Sequence, residues 1–352
     1  MKIAQIAPLA ESVPPKKYGG TERIVSYLTE ELVRQGHDVT LFASGDSTTR
    51  AELHATVPTA LRLNPDVKDP LPYAALQLED VRERAQEFDV LHFHCDFLHF
   101  PLMRALGLGN TVTTMHGRLD FPDYPALYDT FDDAPLVSIS HQQRQPLPRC
   151  NWVGTVHHGL PAHVCRFEPR PRGEYLAFLG RISPEKRADR AIEIAGRTGM
   201  KLKIAAKVDA ADQKYFSETI EPLLSQPHVE FVGEIGEREK CDFLGHASAL
   251  LFPIDWPEPF GLVMIEAMSC GTPCVAWHAG SVPEIISEGN NGFIVDSIDS
   301  AVAAVHRACS MDRHAVRAEF QQRFSAERMT RDYLAIYRHV AERRLGKAAA
   351  AA

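Results

Sequence analysis

Short apolar runs alternate along the chain with longer stretches of helical period, a pattern that predicts parallel α/β architecture with strands buried on both faces. The opening MKIAQIAPL reads as a buried strand, and the loop after it carries Gly19 and Gly20. From about Thr21 to Gln35 the residues Ile24, Leu28 and Leu32 recur at helical spacing, Gly36 is the natural stop, and DVTLFA is the next strand. The same order returns later. EYLAFLG reads as a strand, RISPEKR as a loop, Ala188 to Arg197 as a helix with Gly199 as its stop, and KLKIAAKV as a strand. Even the joints match, with RQGHDVTLFA in the first half and RTGMKLKIAA in the second.

Two strand-loop-helix-strand units half a chain apart predict two doubly wound, Rossmann-like domains facing each other, with a ligand cleft at the carboxyl ends of their strands. Patterning lapses and Pro and Arg accumulate near HVCRFEPRPRGEY, so the domains are expected at 1–165 and 166–325. The final helical pattern, 326–352, places Met329, Tyr333, Ile336, Tyr337 and Val340 on one face, with Ser325 as N-cap, and is expected to cross back to the first domain.

At 352 residues and 45% hydrophobic content the chain is long enough for two cores. A net charge of -8 argues against general nucleic-acid binding. The N-terminus lacks the marks of a signal peptide and no run of about 18 apolar residues is present, so the expected location is the cytoplasm. Seven scattered cysteines without a CxxC pair suit reduced thiols, and Cys270 and Cys274, astride a Gly-Thr-Pro turn, read as small packing residues.

The candidate chemistry centres on EPFGLVMIEAMSCGTPCVAW, 258–277. Pro257 and Pro259 disfavour helix around Glu258, whereas Gly261 to Met268 suits one that Gly271 and Pro273 end. Glu258 then lies on a loop at a helix start and Glu266 in its second turn. Backbone N–H groups near Phe260, Gly261 and Leu262, with the helix dipole, make an anion site that Gly261 leaves open. From Gly261 to Glu266 the axial rise is roughly 7.5 Å, the scale of a phosphate and its neighbouring sugar. Two acids so spaced suit the two ends of an extended diphosphate ligand such as a nucleotide sugar; patterning alone equally allows a core helix with two ordinary glutamates. Arg181 and Lys186 in GRISPEKR, on a strand-to-helix loop, supply candidate cations or are plain solvated charges.

In the first half, the Gly19–Gly20 pair suits close approach of an anion or a tight turn. Neither it nor GLGNTV matches GxGxxG, which weighs against a dinucleotide-dependent oxidoreductase. His116 ends the strand pattern TVTTM, where a ligand-facing or a structural role is open. His92, His94 and His99 in LHFHCDFLHF read as packing and hydrogen-bonding residues, not metal ligands, and no Asp-x-Asp occurs. No metal and no cofactor are expected.

These stretches resemble the retaining GT-B glycosyltransferases of family four. The likeness runs over nearly the whole chain, through the early glycine pair, TMHG, VSIS, VHHGL, GRISPEK and, most specifically, the Glu-x7-Glu stretch EPFGLVMIE. It implies that Arg181 and Lys186 neutralise a donor diphosphate, that Glu266 binds ribose hydroxyls and Glu258 the donor sugar, and that Phe260, Gly261 and Leu262 present backbone N–H groups. It further implies that His116 hydrogen-bonds the donor sugar, that Gly19 and Gly20 border acceptor and phosphate, and that the base lies near Ile235. The first domain would be the acceptor side and the second the donor side. The implied reaction transfers a hexose from a UDP-sugar, or next GDP-mannose, to a sugar, lipid or small-molecule acceptor with retention and without metal. Two departures, His158 where relatives have Asn and AAK where they have Gly, bear on fine specificity. Rival readings are a GT-B nucleotide-sugar epimerase and a non-catalytic nucleotide-sugar binder. Lys16, Lys17 and Arg23 are candidates for weak peripheral contact with an anionic lipid surface or form a solvated loop.

Overall fold

The computed structural model describes residues 1–16, 19–62 and 64–351; the lipid-contact candidate Lys17 lies outside them. The chain divides into two compact units, one made of residues 1–159 with 326–352 and the other of 160–325. The division falls six residues before the expected boundary because Leu160 already belongs to the second unit: its N–H donates to the Phe324 carbonyl at 2.9 Å and it bridges to Ser325.

The first unit runs β1 (Lys2–Ile6), α1 (Gly20–Arg34), β2 (Asp38–Ser44), β3 (Glu52–Val57), α2 (Leu71–Arg84), β4 (Val90–Phe93), α3 (Phe100–Ala105), β5 (Thr111–Thr114), α4 (Tyr124–Thr130), β6 (Leu136–Ser138) and β7 (Trp152–Thr155). Its strands are parallel in the order β3-β2-β1-β4-β5-β6-β7. The second runs β8 (Tyr175–Arg181), α5 (Ala188–Thr198), β9 (Lys201–Lys207), α6 (Gln213–Tyr215), β10 (Val229–Gly233), α7 (Glu237–Gly245), β11 (Ala249–Phe252), α8 (Leu262–Ser269), β12 (Cys274–Trp277), α9 (Val282–Ile285), β13 (Gly292–Val295), α10 (Ile298–Ala308) and α11 (Arg313–Arg323). Its sheet is parallel in the order β10-β9-β8-β11-β12-β13. Both orders reverse direction once, between β1 and β4 and between β8 and β11, and such switch points open a crevice beyond the strand ends.

Full burial of β11 explains its continuous apolar run, ALLF, whereas the equally buried β4 carries His92 within it. The second core gathers Leu176, Ile192, Ile204, Leu251 and Val305 from strands and flanking helices. The last helix, α12 (Ala326–Ala351), belongs to the first unit, where it packs on α1, β4 and β5. Met329, Tyr333, Tyr337 and Val340 on its inner face are fully buried, and Ile336 occupies the space that a side chain on Gly154 would need.

Beneath α12 lies a buried polar network. Gln5 Nε2 donates to the Tyr337 hydroxyl at 3.0 Å, which is 2.6 Å from His92 Nδ1; His92 Nε2 meets Thr114 Oγ1 at 2.7 Å, and Thr114 meets the Tyr333 hydroxyl at 3.0 Å. Polar groups so enclosed must be paired, which makes their geometry specific. His92, His94 and His99 are all hydrogen-bonded there or nearby, as expected for structural histidines.

The cysteines depart from the reading of reduced thiols. Cys165 and Cys241 form a disulfide with Cα atoms 5.1 Å apart across 76 positions of sequence. Neither spacing nor composition marks the pair, because the loop after β7 and helix α7 meet only in the fold. Cys270 and Cys274 are free and fully buried.

Burial pushes the imidazoles of His92, His94 and His158 well below their ordinary range and those of His99 and His116 down to about 3. Groups neutral in the fold but protonated in the unfolded chain contribute stability that is complete above about pH 6.5 and is lost as pH falls toward the folded values. Each histidine contributes a loss of up to about 1.4 kcal/mol per pH unit. Amide exchange at β1 and β4 should therefore report weakening of the first unit between pH 6.5 and 5, and constant protection over that window would contradict neutral burial.

Candidate functional site

In the second unit the loops after β8 and β11, the two strands at its switch point, meet. Lys186, at the end of the turn Pro184–Lys186, forms an ion pair with Glu258 on the loop after β11. Both side chains are mostly buried, and the Lys186 ammonium also lies over the rings of Trp256 at 4.9 Å and Phe252 at 5.8 Å. A backbone bond from Asp255 N–H to the Glu185 carbonyl at 2.8 Å ties the same loops together. Lys186, a candidate cation for an anionic ligand, has Glu258 as its carboxylate partner.

Gly261 precedes α8 at φ 81 and ψ 68, a left-handed conformation that glycine adopts without a Cβ penalty. A Cβ there would stand 2.8 Å from Met264 Cε. The eight-residue helix begins at Leu262, and its first N–H groups are those that no helical carbonyl can satisfy. Phe260 contributes only backbone to such a site, since its side chain is core and packs edge-on to Phe324 at 6.3 Å.

Glu266, in the second turn of α8, is buried and accepts from Lys240 Nζ at 2.5 Å, while Lys240 also pairs with Glu237 at 3.1 Å. Lys240 escaped sequence reasoning: it is a helix lysine amid charged neighbours, EREKCD, and nothing local sets it apart. Ile235 lies in the loop between β10 and α7, partly exposed.

Arg181 closes β8 amid acids, with Glu185 at 3.2 Å, Asp212 at 3.4 Å and Asp209 at 3.5 Å. An anionic ligand must displace these carboxylates to use it, whereas Lys186 has Glu258 as its carboxylate partner.

The loop between β12 and α9, which no local signal in the sequence marks, holds the Glu258 loop. The Ser281 N–H donates to the Glu258 carbonyl at 3.0 Å and Ser281 Oγ to the Phe260 carbonyl at 2.7 Å. Gly280, at φ 52, presses so closely that a Cβ would stand 2.3 Å from Glu258 N and 2.4 Å from its carbonyl oxygen.

In the first unit, Gly19 precedes α1 and Gly20 opens it. His116, after β5, has Nε2 at 2.9 Å from His94 Nδ1 and stacks on His158 with ring centroids 5.4 Å apart. The Gln5 amide fixes the protons of this chain. Its Oε1 accepts from His94 Nε2 at 2.8 Å, so neutral His94 offers Nδ1 as an acceptor and His116 donates through Nε2. His116 Nδ1 is thereby a bare acceptor, and among the described residues it has no hydrogen-bond partner. His158 supplies a stacking surface for His116.

Among the described residues no cluster of three or more His, Cys, Asp or Glu is disposed to hold a metal ion, and no helix is long and apolar enough to cross a membrane.

Comparison with known proteins gives two family matches: residues 166–325 match "Glycosyl transferases group 1" and residues 18–136 match "Glycosyltransferase Family 4". A GDP-mannose-dependent alpha-mannosyltransferase of Corynebacterium glutamicum is 24% identical over 340 residues, covering 84% of this chain and 77% of the relative. A GDP-mannose-dependent alpha-(1-6)-phosphatidylinositol dimannoside mannosyltransferase of Mycobacterium tuberculosis is 26% identical over 349 residues, 86% of each chain. Among solved structures, a glycosyltransferase involved in avilamycin A biosynthesis superposes with TM-score 0.74 at 24% identity over 97% of this chain and 98% of its own.

The close approach at Gly280 makes Gly280→Ala an overpacking change beside the Glu258 loop. It should destabilise the second unit by about 1–3 kcal/mol, read as a lower urea midpoint at unchanged slope; an unaltered midpoint would show that the β12–α9 loop does not hold the Glu258 loop.

Proposed function

Because the chain is a glycosyltransferase of family four with the GT-B fold, we propose that its second unit binds a nucleotide-diphosphate hexose along α8 and delivers the hexose to an acceptor hydroxyl with retention. The observation that carries this reading is the pair of lysine-held carboxylates, Glu258 and Glu266, on either side of the start of α8. A diphosphate at the helix start accepts hydrogen bonds from its N–H groups and takes Lys186 as counter-ion. Glu258, released from that lysine, accepts from hydroxyls of the donor sugar. Glu266, held in place by Lys240, accepts from the ribose hydroxyls at the other end.

Breaking the bond between the sugar's anomeric carbon and the phosphate oxygen places negative charge on that phosphate. Lys186 and the N-terminus of α8 stabilise the charge where it develops, and Arg181 joins them if the ligand displaces its acidic neighbours. The acceptor oxygen bonds to the anomeric carbon on the face the phosphate leaves, and its proton passes to the departing phosphate. No carboxylate is assigned as a nucleophile for a double displacement. The cationic groups supply the charge a divalent metal supplies elsewhere, which favours metal-independent transfer. For the donor, UDP-hexoses remain the first trial, and the two mannosyltransferase relatives bring GDP-mannose level with them. His116, with its bare Nδ1 acceptor, is the first unit's candidate for meeting a hydroxyl-bearing ligand.

Lys186→Ala should lower kcat about ten- to thousandfold in donor turnover, and an unchanged kcat would remove Lys186 from the leaving-group site. The anomeric configuration of the product, read by NMR of the first turnovers, should match that of the donor; inversion would overturn the front-face reading.

A further inference from the structure

The first unit has its own switch point, and a cavity of about 630 Å³ opens there, within the range usual for small-molecule sites. Its walls come from the loops that follow β1 and β4, the two strands between which the sheet order reverses, and from α2 with the segment before it. Apolar side chains dominate the lining: Leu9, Leu61, Val67, Leu71, Phe97 and Leu98. Leu71 is 59% and Leu98 47% exposed, and large aliphatic side chains left in water around a concavity mark a binding site.

The polar groups of the lining are few. Gln77 is occupied, its Nε2 donating to the Ala7 carbonyl at 3.0 Å and the Phe42 carbonyl at 3.4 Å. Arg62, the one cation among the described lining residues, is paired with the buried carboxylate of Glu11. Burial pushes the Cys95 thiol up to about 12, so it stays neutral. That leaves the Asp96 carboxylate, whose backbone is held at φ 46, a left-handed conformation that Asp tolerates and that recurs where ligands are clamped. Burial raises the Asp96 carboxyl above its usual range; its oxygens offer an acceptor to a hydroxyl, and the pairing of Arg62 with Glu11 gives an anion no advantage.

We propose that this cavity holds the apolar body of an uncharged, hydroxyl-bearing acceptor, with Asp96 accepting a hydrogen bond from one of its hydroxyls. Identifying that ligand as the acceptor rests on the glycosyltransferase reading above; the cavity's preference for an uncharged apolar ligand does not. A phosphate-bearing acceptor meets Asp96 and an already neutralised Arg62, and is disfavoured.

Calorimetric titration of the whole chain with methyl β-glucoside, n-octyl β-glucoside below its micelle concentration, and n-octyl phosphate tests this. Octyl glucoside should bind one-to-one at least about thirtyfold tighter than methyl glucoside, from the burial of seven further methylene groups, and tighter than octyl phosphate. Ala74→Phe, which fills the cavity, and Leu71→Asp, at its exposed rim, should each weaken octyl glucoside at least about tenfold while nucleoside diphosphate affinity stays at the parent value. Equal binding of the two glucosides, stronger binding of octyl phosphate, or parent-like binding in both variants would overturn the proposal. With nucleotide sugar present, octyl glucoside should change the rate of donor turnover with half-effect near its dissociation constant; unchanged turnover at saturation would remove the acceptor role. Failure of the donor reading shows separately, as absence of nucleotide-sugar binding to the parent protein.

Discussion

Gly261 stands in the left-handed region immediately before α8, and the positions of Glu258 and Glu266 relative to the helix start follow from that turn. It ends the loop from β11 and starts a helix within the length of a few residues, so Glu258 falls before the first free N–H groups and Glu266 after them. A side chain at this position would be strained at φ 81 and would crowd Met264 and Phe252. The two carboxylates then need cations, since buried charge without a partner is costly. Lys186 and Lys240 supply them from different elements, one after β8 and one on α7. The resulting pairs are not equivalent. Lys186 and Glu258 each have a proposed use in the ligand complex, so ligand replaces their mutual contact. Lys240 has no such use and instead holds Glu266 in place.

The two units apply one physical rule to different chemistry. Each has a parallel sheet that reverses order once, and in each the loops beyond the two strands flanking the reversal are brought together. In the second unit those loops carry paired charges and a helix start, which suits a polyanion. In the first they carry leucines, a phenylalanine and a lone aspartate, which suits an uncharged body with a hydroxyl. A neighbouring chain of hydrogen bonds links Gln5 through His94 to His116.

Sequence periodicity revealed the strands and helices that flank these sites, because buried parallel strands and amphipathic helices impose periods that survive in a single chain. The positions of Arg181, Lys186, Glu258 and Glu266 were legible for a related reason: they lie at strand ends and at a helix start, which apolar runs, prolines and glycines mark. Their partners were not. Lys240 reaches Glu266 across 26 positions, Gly280 meets Glu258 from the separate loop after β12, and Cys165 finds Cys241 across 76 positions. Contacts of that kind arise from packing between elements and leave no local period. The apolar cavity was hidden likewise, since its leucines come from three segments that read as ordinary loop and helix residues.

The central claim is that Glu258 and Glu266 read opposite ends of one ligand. Calorimetry of a nucleoside diphosphate and its hexose conjugate against parent, Glu258→Ala and Glu266→Ala proteins tests it most directly. Glu266→Ala should weaken both ligands by the same factor, about tenfold or more for loss of charge-assisted hydrogen bonds, whereas Glu258→Ala should weaken only the hexose conjugate. Equal loss of both ligands in both variants, or loss of the plain diphosphate in Glu258→Ala alone, would contradict the account.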